Sequence, residues 1–149
     1  MKVNCNLTAL TNETIQHFRI RVNRGRLFIP THISLSEIYN LDSLPLNRDS
    51  LIVVFGIAHV FKLWQSGFPD VVGLLKQTIT KRQVERIRST TKRNAVIWVV
   101  TDGNGLALQD GVKVSGQLAQ FRFVRHIFFT SKTILNSSKE EIQILFSQS

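Results

Sequence analysis

The sequence contains one cysteine, Cys5, among its 149 residues. An intrachain disulfide needs two thiols, so this chain forms none, which is typical of proteins kept in a reducing compartment. The four histidines, at positions 17, 32, 59 and 126, show no metal-ligand spacing, and no second cysteine is present to complete a zinc site. We therefore predict no metal site and no bound cofactor.

Acidic residues are scarce. The chain has 10 Asp and Glu against 19 Lys and Arg, which gives a formal net charge of +9. An excess of positive charge favours a polyanionic partner, with nucleic acid as the first choice. The shortage of acids argues against a nuclease that holds Mg²⁺ through clustered carboxylates.

Long hydrophobic runs are also lacking. The longest nearly apolar stretch, 51–61, contains His59 and is too short for a membrane helix, which needs about 20 residues. The first ten residues, MKVNCNLTAL, have no apolar core typical of a signal peptide. We therefore expect a cytoplasmic or nuclear protein that makes no contact with membranes.

Known recognition motifs are missing from the chain. It contains no GxxxxGK[ST] phosphate loop, no GxGxxG after a strand, and no zinc-finger, RRM or helix-turn-helix pattern. The Asp and Gly residues at 102–105 indicate a turn. The sequence therefore offers no means of reading a specific base sequence.

Patterns of apolar residues predict both strands and helices. Runs that are apolar on both faces are typical of buried parallel strands, and β-prone runs of mixed polarity predict others. The strands are predicted at 2–8, 16–22, 26–29, 51–55, 95–100 and 121–129. Turn signals at 102–105 and 110–111 predict a small meander made of 106–108 and 112–114. The helices are predicted at 35–40, 58–65, 69–79 and 81–91, with a last helix beginning at Ser137.

A basic hairpin is predicted at 19–26. If Arg24 and Gly25 form the turn, Val22 lies opposite Leu27. The inward face would then carry Phe18, Ile20, Val22, Leu27 and Ile29. The outward face would carry Arg19, Arg21, Arg26 and Phe28, with Arg24 at the tip.

The most basic segment is the predicted helix at 81–91 with the residues that follow it. A Thr80–Gln83 capping box marks its start, and Val84 and Ile87 share its apolar face. Its basic residues cover the other faces; they are Lys81, Arg82, Arg86, Arg88, Lys92 and Arg93. Because it lies between two buried strands, we expect a basic helical crossover.

These elements indicate one domain over residues 1–149 with an α/β or α+β fold. We expect a mixed sheet with the basic helix as its crossover and the hairpin at its edge. A chain of this length suits one core better than two.

A cleft is predicted at the carboxyl ends of the main strands, where ligands gather in open α/β sheets. His59, Asp102 and Ser131 follow three of these strands. If the strands are parallel neighbours, the three side chains provide a base, a carboxylate that orients it and a hydroxyl nucleophile. Turn chemistry at Asp102 and a core role for His59 are the alternative interpretations.

We therefore favour a non-enzymatic protein that binds RNA or DNA with low sequence specificity, using the hairpin and the basic helix. The exposed aromatic Phe28 among arginines favours single-stranded nucleic acid or RNA over duplex DNA. A small nuclease or nucleotide-acting enzyme with a site at the strand ends is the first alternative. A structural or interaction subunit that docks an acidic protein or belongs to a ribonucleoprotein is the second.

Overall fold

The chain folds into a five-stranded mixed sheet, covered by helices on both faces, and a separate three-stranded antiparallel sheet. The computed structural model describes residues 2–3, 10–24, 26–28, 37–103, 105–130 and 132–148. The strands are β1 (Lys2–Val3), β2 (Arg21–Asn23), β3 (Arg26–Phe28), β4 (Ile38–Tyr39), β5 (Arg48–Phe55), β6 (Val71–Leu74), β7 (Thr91–Asp102) and β8 (Phe123–Phe129). The helices are α1 (Asn12–His17), α2 (Ile57–Gln65), α3 (Lys81–Thr90), α4 (Gly105–Leu118) and α5 (Lys139–Gln148).

The main sheet has the strand order β4-β6-β5-β7-β8. β5 pairs in parallel with β6 and β7, β7 pairs in parallel with β8, and only the short β4 runs antiparallel. Residues 51–54 of β5 are buried, as a central parallel strand requires. Strands and helices alternate from β5 to β8, so the α/β class with a mixed sheet is confirmed.

Two cores lie on opposite faces of this sheet because successive side chains of a strand point to opposite sides. On one face Ile52 and Val54 pack with α2, α5 and the small sheet. On the other face Leu51 and Val53 pack with α3 and α4. The protein is therefore a three-layer structure in which each helix belongs to one face.

The hairpin has the predicted register, with Val22 opposite Leu27 and Asn23 opposite Arg26. It pairs with β1 in a small sheet of its own, and the described strands show no pairing between this sheet and the main sheet. The inward face differs from our prediction, since Val22 is 53% exposed while Leu27 is buried. Gly25 and Ile29 lie outside the described residues.

The strand predicted at 16–22 is wrong in its first half. Thr11 caps α1 by accepting a hydrogen bond from the backbone of Thr14, and the helix runs to His17 before β2 begins. Phe18 and Ile20 are buried as predicted, but they lie in the connection between helix and strand. An alternating pattern over so few residues also fits a short helix followed by a turn.

The helix predicted at 69–79 is wrong, because Val71–Leu74 forms the strand β6 between β4 and β5. All four of its residues are buried, so the segment shows no polar alternation. A short run of this kind fits a buried helix and a central strand equally well. The helix predicted at 35–40 is also wrong for the described residues, because Ile38 and Tyr39 form β4. Residues 35 and 36 lie outside the described part.

The meander predicted at 106–114 is wrong, because these residues lie in α4. Gly111, Val114 and Leu118 form its buried stripe at helical spacing. The Asp110-Gly111 turn signal was misleading because this glycine serves packing. A Cβ on Gly111 would lie 2.5 Å from Nε2 of His126, so only glycine allows α4 to lie this close to β8.

The remaining helices match the predictions closely. Thr80 and Gln83 form the predicted capping box of α3 through hydrogen bonds of 2.9 and 3.1 Å. The last helix is capped by Ser138 with Glu141, one residue later than predicted. Ile142 is fully buried on its inner face.

Candidate nucleic-acid interface and strand-end site

The carboxyl ends of β5 and β7 bring His59 and Asp102 together. Gly56 lies between β5 and α2 with a φ of +100°, which favours glycine, and the first turn of α2 carries His59. Asp102 is the last residue of β7. Nε2 of His59 lies 3.4 Å from Oδ2 of Asp102, which is the contact expected from adjacent parallel strands.

Asp102 is held by a second donor. The backbone N–H of Ile134, in the 3-10 turn Ile134–Asn136, donates to the same Oδ2 at 2.6 Å. Burial by itself raises the pKa of Asp102, but the hydrogen bonds from His59 and from the Ile134 backbone outweigh it and hold the pKa below its usual value. The carboxylate is therefore charged and fixed, and it can orient the imidazole.

The described residues do not include the predicted nucleophile of this site. Ser131 lies outside the described residues, so its predicted role stays a prediction. The hydroxyl of Thr101 is 2.7 Å from Nε2 of His126, on the α4 face, and is engaged there. Among the described residues, no group of three or more His, Cys, Asp or Glu is arranged to hold a metal ion.

The arginine hairpin (Arg19, Arg21, Arg24 and Arg26, with Phe28) presents its charges to solvent. All four arginines are exposed, and within the described residues none of them pairs with a carboxylate. The Arg21 guanidinium lies 5.9 Å from the centre of the half-buried Phe28 ring. A cavity of about 430 Å³ is lined by Asn23, Arg24, Arg26 and Phe28.

The basic helix surface (Lys81, Arg82, Arg86, Arg88, Lys92 and Arg93) is partly neutralised. Arg86 pairs with Asp42, Arg88 with Glu85 at 3.4 Å, and Lys92 with Asp49 at 2.8 Å. In the part of the chain that the structure describes, the other three cations have no carboxylate partner. These are Lys81, Arg82 and Arg93.

The two basic segments do not share one surface. Leu27 of the hairpin packs in the core with α2, whereas Val84 and Ile87 of α3 pack in the core on the opposite face of the main sheet. The structure therefore presents two separate basic regions, one on each side of the molecule.

Sequence reasoning missed two residues that lie beside the basic helix surface. Phe121 is 36% exposed, and its ring centre is 4.7 Å from the Arg88 guanidinium. Arg122 lies next to Arg88 and Arg93 around a shared cavity of about 420 Å³. The sequence does hint at a basic, aromatic surface here, because the run FRFVRH places two arginines among aromatic residues. The same run is also typical of a strand, and that was the prediction made from it.

Other exposed apolar side chains are present on α4 and at the start of β8. Phe123 is 72% exposed, Leu106 67% and Val112 56%. No helix in the described part of the chain is long and apolar enough to span a bilayer.

Comparison with known proteins finds a likeness in structure alone. No protein-family model matches the chain, and no curated protein matches it in sequence. A DNA primase domain from Pseudomonas aeruginosa superposes with a TM-score of 0.65 at 16% identity, covering 86% of this chain and 44% of that one. A DnaG primase catalytic domain bound to ssDNA gives 0.62 at 17% identity, covering 86% and 45%. The catalytic core of the E. coli primase gives 0.59 at 17% identity, covering 83% and 42%.

The chain thus spans less than half the length of these primase chains. At this level of identity the comparison concerns the fold. Most of this chain has the fold of part of a primase catalytic domain.

Proposed function

We propose that the protein binds nucleic acid with low sequence specificity, and that the arginine hairpin makes the main contact. The observation that carries this proposal is the exposure of four arginines that have no carboxylate partner among the described residues. Phosphates attract such charges whatever the base sequence, and binding releases condensed counterions. Arginine also offers a planar fork that suits phosphate oxygens.

The likeness to primase catalytic domains supports this proposal. These similar structures are DNA primase domains, and one of them was solved bound to ssDNA. The net charge of +9 points to the same class of partner.

Single-stranded nucleic acid, RNA or DNA, is the favoured form. The cavity beside the hairpin combines the two guanidinium groups of Arg24 and Arg26 with the ring of Phe28. Bases that are not paired can stack on an aromatic ring while the neighbouring phosphates meet the arginines. On the opposite face, Lys81, Arg82 and Arg93 provide a second, weaker contact region.

Charge reversal of the hairpin tests this proposal. Binding of a single-stranded oligonucleotide should fall steeply with salt, and Arg24→Glu with Arg26→Glu should lower the slope of the logarithmic plot by about one to two. The measurement is fluorescence anisotropy over a range of salt concentrations. The matched control, Lys113→Glu with Lys139→Glu, makes the same charge change at exposed lysines elsewhere. Equal effects of the two double variants would mean that net charge, and not the hairpin, governs binding.

A small enzyme that acts on nucleotides or nucleic acid is the second candidate, favoured by the contact between His59 and Asp102. The carboxylate can hold Nε2–H of the imidazole and leave Nδ1 as a base. Cleavage of labelled RNA and DNA, with and without Mg²⁺, tests this candidate. Activity should be lost in His59→Ala and Asp102→Ala but kept in the control with Lys113→Glu and Lys139→Glu. Activity that is unchanged by both His59→Ala and Asp102→Ala would exclude this pair.

A further inference from the structure

Two adjoining pockets lie beside the end of α3, at the amino ends of β7 and β8. The arginine pocket, of about 420 Å³, is lined by Arg88, Arg93, Gln120, Phe121 and Arg122. The adjoining pocket, of about 350 Å³, is lined by Lys81, Val84, Glu85, Gln117, Gln120 and Phe121. Phe121 and Gln120 belong to both, so the aromatic ring forms part of the boundary between them.

Arg122 fixes the wall of the arginine pocket. Its Nε donates to Oγ1 of Thr91 at 3.0 Å, and its terminal nitrogens donate to the carbonyls of Arg88, Thr91 and Phe121 at 2.8, 3.1 and 2.7 Å. These bonds join the last turn of α3, the start of β7 and the turn before β8. The cation is therefore held in place before any ligand arrives.

The charges in this pocket repel one another. Burial, together with the positive charges of Arg88 and Arg93, lowers the pKa of Arg122. The described lining residues of the arginine pocket include three arginines and no acid. An anion bound among them would relieve the repulsion and meet two guanidinium groups, of Arg88 and Arg93, that are more exposed than Arg122.

The adjoining pocket has a different chemistry. Val84 and Phe121 give it apolar surface, and Gln117 and Gln120 give it amide groups. Glu85 also lines it and pairs with Arg88 at 3.4 Å. Lys81 lines it as well, and because its charge is opposite to that of Glu85, the pocket has little net charge and suits an uncharged planar group.

We propose that the two pockets form one nucleotide site, with a phosphate among Arg88, Arg93 and Arg122 and the attached base against Phe121 and the glutamine amides. This inference builds on the proposed binding of nucleic acid, and it names the chemical unit recognised on the α3 face. The unit is a single nucleotide that carries a phosphate, supplied either as a free mononucleotide or as the phosphorylated end of a strand.

The site is separate from the pair formed by His59 and Asp102. The arginine pocket lies at the amino end of β7, and Asp102 is the last residue of that strand. β7 runs between the two regions and, because its pairing with β5 is irregular between Thr91 and Val96, they lie roughly 25–30 Å apart. It is also on the face opposite the arginine hairpin, so each site can be tested without altering the others.

Calorimetric titration of the full chain with adenosine 5′-monophosphate tests the site. Adenosine and inorganic phosphate, titrated separately, should each bind at least about tenfold more weakly, since each meets half of the site. Phe121→Ala should weaken binding of the mononucleotide about tenfold and leave inorganic phosphate unchanged, because the lost contact is base stacking. Arg93→Ala should weaken both. Both side chains are exposed enough for these variants to fold.

Lys139→Ala, which removes one positive charge at an exposed position on α5 on the opposite face of the sheet, is the matched control and should bind the mononucleotide as the unmodified protein does. Competition with an oligonucleotide, with and without a 5′ phosphate, separates the two sources, because a strand end requires that phosphate. Mononucleotide binding that depends on Phe121 and Arg93 supports this site even in a protein that fails to bind oligonucleotides through the hairpin. The proposed site is overturned if the mononucleotide does not bind, or if its affinity is unchanged in Phe121→Ala.

Discussion

Single residues on β7, β8 and α4 show how closely this helix approaches the sheet. Gly111 faces Thr101 and His126, and a Cβ at that position would lie 2.5 Å from Nε2 of His126 and 2.8 Å from Cγ2 of Thr101. The two side chains are themselves joined by a hydrogen bond of 2.7 Å. Burial lowers the pKa of His126, so the imidazole is uncharged at neutral pH in this contact. The glycine is thus a packing residue inside a helix.

Gly111→Ala should lower the free energy of unfolding by about 1–3 kcal/mol, because the added methyl group forces α4 away from β8. Urea unfolding followed by circular dichroism measures this change. Gly116→Ala in the same helix is the matched control, since the described structure has no atom within 4 Å of its Cβ position. That control should be stabilising by about 0.5–1 kcal/mol. Equal stability of the two variants would contradict the close approach.

Asp102 should make stability depend on pH in the acid range. Its pKa is lowered in the folded state, so its contribution is fully present above the unfolded value of about 3.9 and is lost as the pH falls through the folded value. The loss of unfolding free energy between neutral and acid pH should therefore be smaller in Asp102→Asn. Glu140→Gln, at an exposed position, is the control and should follow the unmodified protein. An unchanged acid response in Asp102→Asn would show that its contacts do not favour the charged form.

At the scale of elements, helices with explicit end signals were predictable, while short buried segments were not. Thr80 and Gln83 define the start of α3 in the sequence, and β5 and β7 have apolar runs too continuous to misread. Val71–Leu74 has four buried residues and no alternation, so nothing local separates strand from helix. Pairing with β4 and β5 makes this segment a strand, and that pairing cannot be predicted from the sequence.

Of the two candidate sites, one could be predicted from the sequence and the other could not. Strand ends can be located from their apolar runs, which is why His59 and Asp102 were found. The arginine pocket combines residues from α3, the start of β7 and the turn before β8, and its geometry depends on backbone carbonyls that accept from Arg122. No spacing in the sequence encodes such an arrangement.

Thr80→Ala should lower the free energy of unfolding by about 1 kcal/mol, because it removes the acceptor for the backbone N–H of Gln83 at the start of α3. Thermal and urea unfolding measure the change. Ser89→Ala is the control in the same helix, at an exposed position where alanine has the better helix propensity. A loss for Ser89→Ala as large as that for Thr80→Ala would rule out a special role for the cap.

At the scale of the whole molecule, the position of the basic regions is what the sequence could not supply. Both were recognised as segments, but the sheet between them places the hairpin with α2 and the basic helix with α4. Alternate side chains of β5 and β7 point to opposite faces of the sheet and contribute to different cores, and each basic segment packs on one of these cores. The pairing of Arg86 with Asp42 and of Lys92 with Asp49 depends on the same packing.

Two basic regions on opposite faces predict that one chain binds two short single-stranded oligonucleotides. Calorimetry with an oligonucleotide too short to reach around the molecule should give a stoichiometry of two per chain, with unequal affinities. Arg24→Glu with Arg26→Glu should remove the tighter site, and Arg82→Glu with Arg93→Glu the weaker one. If each chain binds one oligonucleotide and only the hairpin variant abolishes that binding, α3 has no role in it.

The length of β7 limits which ligands can reach both of its ends. A mononucleotide held by the arginines where this strand begins cannot at the same time touch the imidazole where it finishes. Only an extended polymer that follows the edge of the sheet could occupy both ends together. Comparing how mononucleotides and long strands protect His59 from chemical modification would therefore show whether the two ends ever serve the same molecule.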